Sequence, residues 1–170
     1  GKEVLDLFSS GCSAADAVRR VMMDRLHADY RQVAVVDRQG NTAHFTGENI
    51  LGIHTVAEGQ HCVAAGNLLS TVEVPATMVK QFEAGEKHHL AERLLLALEA
   101  GIDAGGEEGP THSAALLVAH ETSWPLVDLR VDWSEQPVAD LRICWQSYEP
   151  QMADYLARAL DPVTAPSYGV

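Results

Sequence analysis

Positive charge is scarce in this chain and nowhere concentrated. Lys and Arg number 12 against 24 Asp and Glu, giving a formal net charge of -12 and an isoelectric point near 4.9. Nucleic acids and anionic membranes both demand a dense basic surface, so neither is expected as a partner. Cysteine is nearly absent as well. Cys12, Cys62 and Cys144 are too few and too scattered for a disulfide framework. They point to a reducing compartment, the cytoplasm, and each reads as a small apolar residue rather than a reactive thiol. No apolar run approaches the roughly 20 residues that span a bilayer, and no signal peptide is visible. Aromatic residues make up 6% of the chain, and Trp124, Trp133 and Trp145 read as dispersed packing anchors.

Motifs that carry common chemistries are missing too. There is no glycine-rich phosphate loop, GxSxG elbow or Walker pattern, so no cofactor is expected. His44, His54 and His61 lie near one another in sequence but lack a tight ligand spacing and a companion carboxylate motif. His88 and His89 are adjacent and splay about 100° apart on a helix. No metal site is expected from them.

What is present is 170 residues with 46% hydrophobic content, enough for one sizeable core, and a single domain over 1–170 is the expectation. Val4, Leu5, Leu7 and Phe8 form an apolar helical surface from the outset. Ser13 with Asp16 resembles a capping box before a helix over 14–27. Val33–Val36 and Thr42–Phe45 make a hairpin around the turn residues Asp37 to Asn41. A strand over His61–Ala65 ends at Gly66-Asn67. Ser70 with Glu73 marks a second capped helix, and a third carries Leu90, Leu94, Ala97 and Leu98 inward until Gly101. Ser113–Ala119 is nearly continuous in apolar residues, a pattern of burial on both faces. Helical segments follow over roughly 136–160. Paired helices between paired antiparallel strands predict a layered α+β fold rather than a doubly wound parallel sheet.

The strand Val127-Asp128-Leu129-Arg130-Val131-Asp132 holds the strongest chemical signal. Alternation puts Val127, Leu129 and Val131 on one face and Asp128, Arg130 and Asp132 on the other. A guanidinium flanked by carboxylates suits a substrate carrying both an amine and a carboxylate. A half-solvated strand with a surface ion-pair network is the competing reading. Gly66 and Asn67 are candidate oxyanion donors, or else a turn before Ser70. Thr46-Gly47 offers a hydroxyl and a close backbone approach, or else a hairpin exit. His112, before the buried strand, is a further candidate for a pocket, or else an ordinary strand-end histidine.

Several segments together resemble one family along nearly the whole chain. They are Tyr30-Arg31-Gln32, Phe45-Thr46-Gly47, Gly66-Asn67-Leu68-Leu69, Ser113 to Val118, Asp128 to Asp132, and the closing Ala165-Pro166-Ser167-Tyr168-Gly169-Val170. Their order and spacing resemble DUF1028, a bacterial family of unknown function placed among the N-terminal nucleophile (Ntn) hydrolases. The resemblance implies a four-layer αββα sandwich, two antiparallel sheets between helical layers, with the N-terminal strands missing here. It also implies superfamily chemistry, in which an N-terminal Thr, Ser or Cys attacks an amide carbonyl with its own amine as base. Gly1 offers no side chain for that role, so the nucleophile is expected outside this chain. On this reading Asn67 and Gly66 serve the oxyanion, while Asp128, Arg130, Asp132, Thr46, Gly47 and His112 bind a small amide or amino-acid-like substrate, and a homodimer is the expected assembly. At Glu107-Glu108-Gly109-Pro110-Thr111-His112 the chain departs from relatives that carry basic residues and a Gln. A catalytically silent binding module of the same fold, or a structural subunit of an assembly, are the alternatives.

Overall fold

A computed structural model describes residues 1–167; Tyr168, Gly169 and Val170 of the closing motif lie outside the described residues. The chain is a mixed α+β structure of helices and three two-stranded antiparallel sheets. Its residues divide into two compact units, one of 1–87 and 96–109, the other of 88–95 and 110–167.

In the first unit, α1 (Lys2–Ser9) and α2 (Ala14–Met23) precede a hairpin of β1 (Gln32–Val36) and β2 (Thr42–Thr46). Helix α2 starts as expected, because Ser13 Oγ accepts the Asp16 backbone N–H at 3.2 Å and satisfies one orphan donor of the first turn. Ala14, Ala17, Val18 and Met22 are its buried stripe, the i, i+3, i+4, i+8 pattern of an amphipathic helix. It stops at Met23 rather than residue 27, and a 3-10 turn at Ala28–Tyr30 follows. The second hairpin pairs β3 (Ile53–Gly59) with β4 (Cys62–Leu69), and α3 (Val74–Ala84) packs against both strands. Strand β3 has no counterpart in the sequence reading. The expected Ser70–Glu73 capping box does not form: Glu73 is itself the N-cap without a side-chain bond, and the Ser70 amide goes to the Gly106 carbonyl. The two hairpins meet along β1 and β4.

In the second unit, β5 (Ala114–Val118) pairs with β6 (Val127–Val131), and α5 (Pro137–Leu160) covers one face. Helix α4 (Leu90–Asp103) contributes its first residues here, including the buried Ala91 and Leu95, and runs on past Gly101. Leu116, Val118, Val127, Leu141 and Trp145 are buried together with them. Strand β5 is not buried on both faces, contrary to its apolar sequence. Leu116 and Val118 turn inward, whereas Ala115 and Leu117 are exposed. None of the three cysteines forms a disulfide, and all are half-buried. Of the three tryptophans only Trp145 anchors a core, since Trp124 and Trp133 are exposed.

A polar knot closes this second core. Glu92 Oε2 accepts Arg142 Nη1 at 2.5 Å and the Trp145 indole N–H at 2.7 Å. His89 stacks on the Trp145 ring at 5.6 Å while its Nδ1 accepts the Ala91 amide. One carboxylate oxygen therefore serves a fully buried indole and a guanidinium that is mostly out of water. Replacing Glu92 by Leu removes the acceptor that the two donors share, so urea unfolding is expected to show a loss of about 2–4 kcal/mol. Adding Arg142→Leu is expected to recover part of it, because a half-buried guanidinium no longer faces an apolar side chain.

Candidate functional site

The sharpest local anomaly falls on the Gly66-Asn67 segment. The sequence reading ends a strand there, but β4 continues to Leu69 with an irregularity instead. Thr55 pairs with Gly66 and Ile53 with Leu69, so Asn67 and Leu68 both oppose His54 alone, which is a β-bulge. Leu68 sits at φ 51, in the left-handed region, without being a glycine. An L-residue there pays roughly 1–2 kcal/mol. Two backbone bonds hold it: its N–H donates to the Leu51 carbonyl at 3.0 Å, and its own carbonyl accepts the Glu108 amide at 2.6 Å. Gly52 stands opposite, at φ 68, where a side-chain Cβ would come within 3.0 Å of the Leu68 Cα. The neighbouring Leu69–Glu107 bridge and the Ser70–Gly106 bond fasten the acidic loop alongside. Asn67 is exposed, and its side chain has no hydrogen-bond partner among the described residues.

Gln32 brings two more of the expected residues together. Its Nε2 lies 3.3 Å from the Gly66 carbonyl, 3.4 Å from that of Thr55 and 3.5 Å from Thr46 Oγ1. One side-chain amide thus stitches β1–β2 to β3–β4, and Thr46 and Gly66 are neighbours through it. The Gly66 carbonyl accepts this bond and the Leu68 N–H is taken by the Leu51 carbonyl, whereas the exposed Asn67 side-chain amide has no partner among the described residues. Gly47 is buried, its amide bonds to the Arg31 carbonyl at 2.9 Å, and a side chain there would overlap the Asp29 backbone. Its close approach is therefore to the chain itself and not to a ligand.

In the second unit, β6 alternates as its sequence dictates. Ala115 faces Arg130 and Leu117 faces Asp128 on the exposed side of the ladder. Arg130 Nε lies 3.2 Å from Asp132 Oδ1, with side chains 68% and 78% exposed, so the pair is a surface ion pair of small energetic weight. Asp128 makes no ion pair among the described residues. His112 is held locally: its Nδ1 is 3.1 Å from the Ser134 carbonyl, and its ring stacks on Trp133 at 4.1 Å.

Two cavities lie elsewhere, in the first unit, and none of the expected site residues lines them. One is an open groove of about 850 Å³ beside Asp6, Arg20, Asp24 and Arg31. The other, of about 420 Å³, lies against Cys12 and the Asp37–Gln39 turn. There the Asn41 side-chain amide, with backbone amides beside it, holds the Asp37 carboxyl below its ordinary range. The histidines weighed for metal are dispersed, with His44 on Glu58, His54 on the Gly52 carbonyl and His61 on that of Gly40. Among the described residues, no three His, Cys, Asp or Glu side chains are grouped to hold a metal, and no helix is long and apolar enough to cross a membrane.

The model of the family of unknown function DUF1028 matches residues 1–141, and the chain belongs to that family. A solved structure, protein SPO2555 from Silicibacter pomeroyi, a DUF1028 structure, is 34% identical with a TM-score of 0.82. The alignment covers 91% of this chain and 67% of that one. No curated protein matches.

The sequence singled out Gly66 and Asn67 but gave no sign of Leu68, since leucine carries no preference for positive φ. Two substitutions read the strain directly. Leu68→Asn keeps a residue that tolerates the left-handed region and is expected to stay within about 0.5 kcal/mol of the parent. Leu68→Val, β-branched, is expected to cost about 1–2 kcal/mol. Equal costs in thermal unfolding would contradict the strain.

Proposed function

We propose that the protein is an Ntn-type amide hydrolase acting on a small amide or amino-acid-like substrate, with the scissile carbonyl oxygen received at Gly66-Asn67. The observation that carries this reading is the bulge at Asn67-Leu68. Backbone strain of this kind persists only where surroundings over-determine it, and it concentrates at functional sites. Here it accompanies an Asn side chain with no hydrogen-bond partner among the described residues, presented beside a fastened loop. A pre-placed amide N–H is suited to the charge that develops on a carbonyl oxygen under attack.

Membership of DUF1028 and the likeness to a solved member support the fold half of the proposal. On it, the chain is one Ntn-like domain, an αββα sandwich, and the attacking Thr, Ser or Cys comes from outside these 170 residues. The Asp128, Arg130, Asp132 row is read separately, as a charged strip that holds a substrate's amine and carboxylate. Thr46 and His112 are proposed binding neighbours within their own units. The protein is proposed to work in the cytoplasm, without a cofactor.

The test is hydrolysis of a panel of small amides and N-acyl amino acids by the complete native protein. Asn67→Ala is expected to lower kcat about 10²- to 10³-fold. Arg130→Ala is expected to weaken binding of a free amino acid, read by calorimetry, while shifting stability by less than about 0.5 kcal/mol, because its ion pair is solvated. Turnover indifferent to Asn67→Ala contradicts the oxyanion assignment, and amino-acid binding unchanged by Arg130→Ala removes Arg130 from substrate binding.

A further inference from the structure

The charge of this chain is unevenly placed. Residues 1–31 hold Lys2, Arg19, Arg20, Arg25 and Arg31 against Glu3, Asp6, Asp16, Asp24 and Asp29. These balance, so the whole excess of -12 belongs to residues 32–170. Helices α1 and α2 and the turn after them are thus an electrically neutral surface of mixed sign on a strongly acidic protein.

That surface is also conspicuously apolar. Leu5, Met23, Leu26 and Tyr30 are 61%, 66%, 77% and 63% exposed. Leu26 lines the groove of about 850 Å³ together with Leu7 and Val21. His27, at φ 60, turns the chain at the groove's edge, and Tyr30 packs edge-on against its ring at 6.4 Å. Within the groove Glu3 is paired with Arg25, which holds the Glu3 carboxyl below its ordinary range. Its other charges lack a close partner: among the described residues, Arg20, which acts on Asp16 only at longer range, and Arg31 have no carboxylate at ion-pair distance, nor do Asp6 and Asp24 have a cation.

We propose that this α1–α2 groove is the face by which two copies of the chain associate about a two-fold axis. A second copy is the occupant that the charge pattern fits. Two molecules of -12 repel over most of their surfaces, and close approach is least opposed where the local charge vanishes. A two-fold contact is self-complementary by construction. It sets the open Arg20 and Arg31 of one copy against the open Asp6 and Asp24 of the other, around a centre of Leu26 side chains. Opposed charges at the rim fix the register, and the buried apolar centre supplies affinity.

Sedimentation of the native protein, with charge reversals, tests this. The parent is expected to be a dimer at about 50 μM. Leu26→Asp is expected to weaken association about 100-fold without loss of fold by circular dichroism, since its side chain is exposed in the monomer. Arg20→Glu with Arg31→Glu, and separately Asp6→Lys with Asp24→Lys, are each expected to weaken self-association at least about tenfold. An equimolar mixture of the two is expected to restore the dimer as a heterodimer. A monomeric parent, a dimer untouched by Leu26→Asp, or charge variants that fail to complement would each overturn the proposal. So would a monomer whose groove takes up free glutamate or phosphate instead.

Discussion

The backbone of Leu68 is the constraint on which the rest of the candidate site depends. A strand left to itself alternates its side chains and pairs every residue. Here one residue is forced into the left-handed region, the ladder gains an extra residue, and Asn67 is released from pairing. The conformation is unfavourable for leucine, so it must be imposed from outside. Leu51 on one side and Glu108 on the other take up its N–H and carbonyl, while Gly52 leaves the room that a side chain would occupy. Gln32 then ties the strand carrying this bulge to the neighbouring hairpin, which fixes Thr46 beside Gly66.

The second unit solves a different problem by similar means. A single carboxylate, Glu92, satisfies the one polar atom that the buried Trp145 cannot leave unpaired, and the Arg142 guanidinium neutralises it. With the inner side of β5–β6 closed in this way, Asp128, Arg130 and Asp132 are left on the outer side, in water. Their exposure keeps the desolvation cost low, and it also means that the Arg130–Asp132 pair adds little stability. Residues that contribute so little to folding are free to be set by function.

Much of this architecture was legible in the sequence where a period or a cap dominates. The Ser13 cap, the stripe of α2, the first hairpin and the alternation of β6 all follow from local rules, and each is found. Strand β3 was not legible, because Ile53-His54-Thr55-Val56-Ala57-Glu58-Gly59 lacks clean alternation and its partner supplies the order. The Ser70–Glu73 box failed for a tertiary reason, since the Ser70 amide pairs with the Gly106 carbonyl. The apolar run of β5 suggested burial on both faces, yet Leu117 stands 63% exposed beside Asp128. Nothing in the sequence marks the reach of Gln32, whose amide lies within hydrogen-bond distance of three other strands, β2, β3 and β4. Gly66-Asn67 was found as a pair, but for a turn or strand end; the strained residue beside it is invisible until the opposing strand is in place.

The most direct test of this account is a ¹⁵N-resolved NMR titration of the folded protein with small amides and N-acyl amino acids, which asks about binding without requiring turnover. Saturable shifts centred on the Gly66, Asn67 and Leu68 amides and the Asn67 side chain, lost in Asn67→Ala, are expected. Shifts confined to other strands, or none up to about 10 mM ligand, would contradict it.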